Sequence, residues 1–196
     1  MAETLDNLSD ESLMERIQKH DHRAFSCLVE RRSDMFYAAA YRMVMNQQEA
    51  EDIVQEAFLK LWDKPKSWKS GNGAKFTTWF YRIVMNISLD KLRRQKNGNG
   101  DVDQDLIDQM ASDDIAQDRE LEINEEQKAL DRALKTLPEN QLMALNLCFY
   151  EEMSNKEAAD IMGIGVKALE SLLMRAKSGI KNYLHREGIL DRGEVA

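Results

Sequence analysis

A chain of 196 residues, 43% of them hydrophobic, is long enough for one domain or two small ones and can build a hydrophobic core. It has no apolar run near the ~20 residues that cross a bilayer, and its polar, acidic first ten residues lack the blocks of a signal peptide. We therefore expect a cytoplasmic protein with no membrane insertion of its own. The net charge of −8 argues against a nucleic-acid ligand only if the charge is evenly spread.

The charge is divided into blocks along the chain. Residues 60–96 carry ten basic and two acidic side chains, and residues 165–186 carry five basic and one acidic. Residues 97–126, between them, carry eleven acidic side chains and one basic. Because a polyanion responds to the local field, two cationic segments separated by an anionic one are compatible with a nucleic-acid ligand.

Hydrophobic residues recur at helical spacing along nearly the whole chain, which predicts an all-α fold. In the first half, the pattern predicts four helices over residues 10–20, 22–45, 48–62 and 75–95. Asp21 is the expected N-cap of the second helix. We predict two small helical domains, over residues 1–96 and 120–196, joined by an acidic, flexible linker over residues 97–119.

The second domain has the pattern of a helix-turn-helix. Ser154 and Glu157 form a capping-box sequence before a short helix, and Gly163 suits its left-handed end. A longer basic helix follows. Its predicted buried stripe is Val166, Leu169, Leu173, Ala176, Ile180 and Leu184. Its candidate DNA-contacting residues are Lys167, Glu170, Ser171, Met174, Arg175, Lys177 and Lys181. Helical bundles that bind no DNA share this pattern, so this segment alone does not establish DNA binding.

The helix over residues 75–95 gathers five residues within a sector of ~60°, at about 100° per residue: Lys75, Trp79, Arg82, Asn86 and Arg93. Aromatic rings and Arg stack on unpaired bases, an amide hydrogen-bonds a base edge, and cations follow phosphates, so this face suits single-stranded DNA. Phe76 lies in the neighbouring apolar sector, and Trp68 adds an aromatic ring in the preceding loop. The alternative is that Trp79 packs in the core and Arg82 is a solvated charge.

Five motifs, in this order, resemble those of one protein family. They are AFSCLVER over residues 24–31, AEDIVQEAFLKLW over 50–62, FTTWFYRIVMN over 76–86, LPENQ over 137–141 and EAADIMGI over 157–164. Over nearly its whole length, the chain is similar to the extracytoplasmic-function (group IV) sigma factors, which direct bacterial RNA polymerase core to promoters.

The resemblance implies roles that periodicity alone does not supply. Polymerase core would bind one face of the third helix, at Asp52, Gln55, Glu56 and Leu59. The −10 promoter element would be melted and bound by Trp68, Lys75, Phe76, Trp79, Arg82, Asn86 and Arg93. Asn86 falls where the family holds a flipped base. The −35 element would be recognised as duplex DNA by the seven helix-turn-helix residues named above.

The last helix departs from the family pattern. Family members often begin it with Gly-Thr-Val-Lys/Arg-Ser, whereas this chain has Lys167-Ala168-Leu169-Glu170-Ser171. Glu170 replaces a common cation, and it either accepts from a cytosine amino group or faces solvent. The promoter sequence therefore does not carry over from relatives.

The partners implied by the resemblance are RNA polymerase core, promoter DNA and an anti-sigma factor, which in this family is often anchored in the membrane. No phosphate-binding loop, catalytic triad or paired catalytic acid stands out, so we expect neither an enzyme nor a cofactor. His20 and His22, near Cys27, are interpreted as solvent-facing residues and not as a metal site. Two alternatives stay open: a stand-alone helix-turn-helix regulator, and a sigma mimic that sequesters an anti-sigma factor.

Overall fold

The computed structural model describes residues 5–69, 75–98 and 128–190, except the side chains of residues 97 and 98. Their regular secondary structure is entirely helical, which confirms the all-α prediction. The N-terminal domain contains α1 (Asp10–Ile17), α2 (His22–Val44), α3 (Gln47–Asp63) and α4 (Phe76–Gly98), with short 3-10 turns at Leu5–Asn7 and Pro65–Ser67. The C-terminal domain contains α5 (128–135 as described), α6 (Glu139–Leu145), a π-helical turn (Asn146–Tyr150), α7 (Asn155–Met162) and α8 (Val166–Arg186).

Side-chain caps define the starts of the N-terminal helices. The Asp21 carboxylate accepts from the backbone N–H groups of Arg23 and Ala24 at 3.0 and 3.2 Å, so it is the N-cap that the sequence predicts. Asn46 caps α3 in the same way by accepting from the N–H of Glu49 at 3.0 Å. The first helix ends at Ile17, three residues before the predicted end, because the chain turns with His20 in the left-handed region.

The predicted acidic linker, residues 97–119, lies almost wholly outside the described residues. Its first two residues belong to α4, which runs two residues past the predicted end of the N-terminal domain. None of the helices in the described ranges is long and apolar enough to span a membrane.

An aromatic cluster joins three helices of the N-terminal domain. The fully buried Phe36 ring of α2 lies 4.6 Å from the Phe80 ring and 5.0 Å from the Tyr81 ring, both on α4. It lies 6.3 Å from the Phe58 ring of α3. These centroid separations are those of favourable aromatic pairs. The cluster therefore determines which side of α4 faces the core and which side faces outward.

The short helix α1 holds the start of α4 and is itself tied to α2. Glu11 accepts from the backbone N–H of Phe76 at 3.2 Å, so it satisfies one of the free donors in the first turn of α4. Asp10, which is almost fully buried, forms ion pairs with Arg31 at 3.1 Å and Arg32 at 2.8 Å. Because two cations neutralise the Asp10 carboxylate, its burial is tolerated.

The two domains lie against each other. Helices α2 and α4 contact α6, α2 also contacts the π-helical turn, and α4 also contacts α7. Most buried hydrophobic residues of both domains belong to one continuous cluster.

Truncating the centre of the aromatic cluster should destabilise the protein. We expect Phe36→Ala to lower the free energy of unfolding by about 3–5 kcal/mol, since it removes a buried ring and leaves a cavity. Urea denaturation followed by circular dichroism measures this. Leu59→Ala is the control: Leu59 is 61% exposed, so its loss should cost less than about 0.5 kcal/mol. Equal denaturation midpoints for the two variants would contradict the assigned role of Phe36.

Candidate functional site

The outward side of α4 carries the basic face that the sequence predicts. Lys75, Arg82, Asn86 and Arg93 are exposed, whereas Phe80 and the other apolar residues around it are buried. Since these polar groups recur at helical spacing, they follow one side of the helix. The structure therefore brings a guanidinium, an amide and further cations together on an accessible surface.

Trp79 lies at the edge of this face. Its ring is half-buried and packs 6.0 Å from Phe76 and 6.2 Å from Phe80. Neither sequence alternative holds entirely, because part of the indole contributes to the core and part stays accessible. Lys75, four residues before Trp79, and Arg82, three residues after it, are both exposed.

Two of the aromatic residues predicted to contact DNA are core residues. Trp68 is 3% exposed and Phe76 is fully buried, with 6.4 Å between their rings. The Gln18 amide donates to the carbonyl oxygens of Trp68 at 3.0 Å and Pro65 at 3.3 Å, which holds this turn against the domain. The sequence prediction for these two rings is corrected, since a ring with almost no accessible surface cannot stack on a base. Both rings pack on the buried side of the start of α4.

The outward face of α3 is acidic with an apolar centre. Asp52, Gln55, Glu56 and Leu59 are all exposed, on the side opposite the buried Ile53, Val54, Ala57 and Phe58. Asp52 pairs with Lys91 of α4 at 3.0 Å, and Glu56 pairs with Lys60 at 2.7 Å. Such exposed ion pairs contribute little stability, so both carboxylates can exchange partners.

A groove between α2 and α3 continues this acidic face. Its volume is about 360 Å³, and it is open to solvent. It is lined by Ser33, Asp34, Tyr37, Glu51, Val54 and Gln55. Gln55 belongs to both the groove and the exposed face, so the two form one continuous surface.

The helix-turn-helix forms as the sequence predicts. Ser154 and Glu157 make the full capping box: the Glu157 N–H donates to Ser154 Oγ at 3.3 Å, and the Ser154 N–H donates to Glu157 Oε2 at 3.1 Å. The hydrogen bonds from the Ser154 hydroxyl and backbone N–H hold the pKa of Glu157 below its ordinary value. Gly163 ends α7 in the left-handed region, with φ of 67°. Such an end favours glycine, which has no Cβ.

Helix α8 exposes most of its predicted DNA-contacting residues. Leu169 and Ala176 are fully buried, whereas Leu173, Ile180 and Leu184 are half-buried. Val166 departs from the predicted stripe and is 40% exposed at the first position of the helix. Of the candidates, only Ser171 is half-buried; the exposed ones are Lys167, Glu170, Met174, Arg175, Lys177 and Lys181.

One cation of α8 contacts an aromatic ring of its own domain. Lys177 Nζ lies 4.7 Å from the centre of the exposed Phe149 ring, in the π-helical turn. This is a cation–π distance. A phosphate at Lys177 would therefore compete with Phe149 for the ammonium group.

Sequence reasoning missed a polar cluster between the domains. The Glu151 carboxylate, whose side chain is 9% exposed, accepts from Arg42 Nη1 at 2.7 Å and from the Tyr81 hydroxyl. Burial, and then the hydrogen bond to Glu151, raise the pKa of Tyr81, so its hydroxyl stays a donor at neutral pH. Nearby, Asn146 Nδ2 donates to the backbone carbonyl of Ala39 at 2.9 Å in a fully buried position. These partners are 70 to 109 residues apart, so no local pattern signals them.

A second contact joins the C-terminal end of α4 to α6. Lys96 Nζ lies 2.7 Å from Glu139 Oε1. The hydrogen bond from Lys96 holds the pKa of Glu139 below its ordinary value.

Comparison with known proteins gives two family matches. Residues 28–98 match Sigma-70 region 2, and residues 127–180 match Sigma-70, region 4. The ECF RNA polymerase sigma-E factor of Escherichia coli (strain K12) is 33% identical, over 90% of this chain and 95% of the relative. The ECF RNA polymerase sigma factor SigW of Bacillus subtilis (strain 168) is 26% identical, over 87% of this chain and 94% of the relative.

Two solved structures share the fold. One is CnrH in complex with the cytosolic domain of CnrY, with a TM-score of 0.64, 22% identity and coverage of 90% of this chain and 97% of that chain. The other is the sigma factor RpoE in complex with the anti-sigma factor NepR from Bartonella quintana. It has a TM-score of 0.61, 21% identity and coverage of 82% of this chain and 96% of that chain.

Removing the capping box should loosen the helix-turn-helix. We expect Ser154→Ala to lower the free energy of unfolding by about 1 kcal/mol at pH 7. The pKa of Glu157 should rise part of the way to its ordinary value, since the Ser154 hydroxyl is the largest cause of its depression and the backbone N–H of residue 154 remains a donor. A carboxylate with a depressed pKa stabilises the fold above its unfolded pKa and loses that contribution as the pH falls through its folded pKa. The difference from wild type should therefore shrink at pH 3.

The measurements are an NMR titration of Glu157 and denaturation at pH 7 and pH 3. Ser178→Ala, at an exposed serine inside α8, is the control and should cost no stability. An unchanged Glu157 titration in Ser154→Ala would show that the serine does not hold the carboxylate.

Proposed function

Because the chain belongs to the extracytoplasmic-function family of RNA polymerase sigma factors, we propose that its two domains bind the −10 and −35 promoter elements while α3 binds polymerase core. The observation that carries the proposal is the accessible side of α4, where Trp79, Arg82 and Asn86 lie opposite the buried core. Aromatic, guanidinium and amide groups on one surface match the stacking and hydrogen-bonding needs of unpaired bases.

At the −10 element, we assign the base contact to Asn86. Its exposed amide has both a donor and an acceptor for the edge of a base that has left the stack. Unstacking a base costs a few kcal/mol, which pocket contacts offset. The partly accessible Trp79 ring stacks beside that base, and Lys75, Arg82 and Arg93 follow the phosphates.

At the −35 element, α8 enters the major groove of duplex DNA. Met174, 67% exposed, is placed for apolar contact with a thymine methyl group. Lys167, Glu170 and Ser171 lie on the same side, at helical spacing, so Glu170 can accept from a cytosine amino group. We assign the phosphate contacts to the three exposed cations that flank this side: Arg175, Lys177 and Lys181.

On the polymerase side, the exposed face of α3 is the docking surface. Leu59 supplies an apolar contact, and Asp52 and Glu56 supply charges for a basic partner. The groove between α2 and α3 shares Gln55 with this face, so it extends the proposed docking surface as far as α2.

We also propose an anti-sigma factor as a partner, a cytoplasmic location and no enzymatic activity. CnrH and RpoE, whose folds this chain shares, were each solved in complex with a second protein, named in one case as an anti-sigma factor. The domain boundaries that accompany this proposal are 1–96 and 120–196, with the linker between them.

Reconstituted transcription tests the proposal as a whole. Purified chain and polymerase core are incubated with a promoter library, and the start sites are sequenced. The proposal expects start sites that depend on the chain. Tight, dimeric DNA binding without core, and no start-site selection with it, would instead establish a stand-alone regulator.

Asn86→Ala should impair promoter opening. We expect about a tenfold loss of open complex, because a specific base contact contributes ~1–3 kcal/mol, with core affinity unchanged. Permanganate footprinting measures opening, and a binding titration measures core affinity. Asn182→Ala, the same substitution at an exposed position of α8 outside the assigned set, is the control. Wild-type opening by Asn86→Ala would remove the role assigned to Asn86.

Reversing charge on α3 should weaken core binding. The double variant D52K/E56K should bind core at least about tenfold more weakly, since close charge pairs couple by ~1.5–7 kcal/mol. Fluorescence anisotropy of the labelled chain measures this. The matched control is E15K/E187K, which makes the same charge change at exposed glutamates outside α3. Equal core affinities for the two double variants would refute the docking face.

A further inference from the structure

The cations of the N-terminal domain fall into two groups. Those paired with carboxylates of the described residues are Arg31, Arg32, Arg42, Lys60, Lys91 and Lys96. Other exposed cations form no ion pair within the part of the chain that the structure describes, and some of these lie on the outward face of α4. Five more lie where α1 turns into α2 and where the chain leaves α3: Lys19, Arg23, Lys64, Lys66 and Lys69.

Direct contacts bring these five cations onto one surface. The Gln18 amide donates to the carbonyl oxygens of Pro65 at 3.3 Å and Trp68 at 3.0 Å, so the turn after α1 lies against the segment that follows α3. The ring of His22, the first residue of α2, lies 4.6 Å from the ring of Trp62, near the end of α3. Each of the five cations is next in sequence to one of these contacting residues. We call the five cations, together with His20, His22 and Trp62, the turn surface.

An exposed aromatic ring lies among the cations of the turn surface. The His22 ring is exposed and is tilted by 40° to the half-buried Trp62 ring, which packs 4.9 Å from the Phe25 ring. The core therefore holds Trp62, and Trp62 holds His22 at the surface. Because aromatic rings stack on unpaired bases and cations follow the phosphates, this combination suits a single strand.

His20 has an uncommon backbone conformation at the centre of the turn surface. Its φ is 66°, in the left-handed region that residues other than glycine rarely adopt. Glycine adopts this conformation without steric cost, so a histidine here indicates a role for its side chain. That side chain is exposed, and none of the described residues forms a hydrogen bond with it.

The turn surface lies close to the start of α4. Glu11, in the first turn of α1, accepts from the backbone N–H of Phe76, the first residue of α4. Gln18 follows seven residues later, which is ~10 Å along the helix at ~1.5 Å per residue. A single strand covers this distance in about three nucleotides at ~3.4 Å each.

We propose that the turn surface binds the unpaired promoter strand where it continues from the −10 element towards the transcription start site. Because the −35 element is bound as duplex, the strand on α4 stays unpaired only on its start-site side. The five cations contact its phosphates, and the rings of His20 and His22 contact its bases. This inference rests on the proposed function, since it extends the strand that is bound at the −10 site.

Two carboxylates near the turn surface do not cancel its positive charge. Asp21 accepts from the backbone N–H groups of Arg23 and Ala24, so its charge interacts with the N-terminus of α2. Asp63 is exposed at the end of α3. An acidic protein would match the cations alone, whereas a single strand also accounts for the exposed ring of His22 and for the conformation of His20.

Titration with single-stranded DNA tests the cations. The probe is a labelled 20-nucleotide strand of mixed sequence, added to the full chain without polymerase at several salt concentrations and followed by fluorescence anisotropy. K64A/K66A/K69A should bind at least about fivefold more weakly than wild type. The slope of log affinity against log salt should become shallower by about two, since each phosphate contact on a single strand contributes ~0.7. The matched control K128A/K135A/K156A removes three exposed lysines of the C-terminal domain and should bind as wild type does.

Two histidine variants test the base contacts. His22→Ala should weaken binding at least about fivefold with little change in the salt slope, because a stacked ring adds affinity without neutralising a phosphate. His185→Ala, at the remaining histidine, is its control. His20→Gly should weaken binding about twofold and leave the urea midpoint unchanged or higher, since glycine suits the backbone conformation. A lower midpoint with unchanged binding would show that His20 has a structural role only.

Open complexes with polymerase core supply the functional readout. On a promoter taken from the start-site library, K64A/K66A/K69A should select the same start sites as wild type. Its open complexes should dissociate at least about fivefold faster than those of K128A/K135A/K156A when heparin is added, because the strand has lost phosphate contacts.

A strand affinity and salt slope equal to those of the lysine control would overturn the inference. So would a loss of core affinity with unchanged strand affinity, which would make the turn surface a contact for an acidic protein. The start-site experiment on wild type decides the proposed function separately. A chain that selects no start site, but whose strand affinity falls in K64A/K66A/K69A, would lose the proposed function and keep the strand-binding surface.

Discussion

The packing of Phe36 against Phe80 and Tyr81 is the constraint on which the rest of this structure depends. It sets the rotation of α4 about its own axis, because two neighbouring rings of α4 must both reach the same buried phenylalanine of α2. With that side of the helix inward, Arg82 and Asn86 necessarily point outward. The surface that we propose for the −10 element is thus a consequence of core packing, and its polar groups follow from the same helical register.

Tyr81 connects that core to the contact between the domains. Its ring belongs to the aromatic cluster, and its hydroxyl donates to Glu151. One side chain therefore links the folding of the N-terminal domain to the position of the C-terminal domain. Helix α4 thus carries core residues, contacts to α7 and the outward face that we propose for the −10 element.

The structure also shows where some of the acidic residues behind the net negative charge are placed. A protein that binds DNA carries a net charge of −8, and some of its carboxylates face its own cations. Glu139 pairs with Lys96 of α4, and Glu157 interacts favourably with Lys75, the residue before α4. Carboxylates that lie between the two basic blocks of the sequence thus neutralise part of the first one. The outward side of α8 takes no part in these ion pairs and is exposed.

The sequence by itself determined the local features: the helices to within a few residues, the Asp21 cap, the Ser154–Glu157 capping box and the outward faces of α3, α4 and α8. These follow from hydrogen bonds and periodicity within a few residues of each other. Only the tertiary structure decided that Trp68 is buried and that Glu151 meets partners 70 and 109 residues away. Those outcomes depend on how whole helices pack, and a pattern along one helix does not specify which distant helix lies against it.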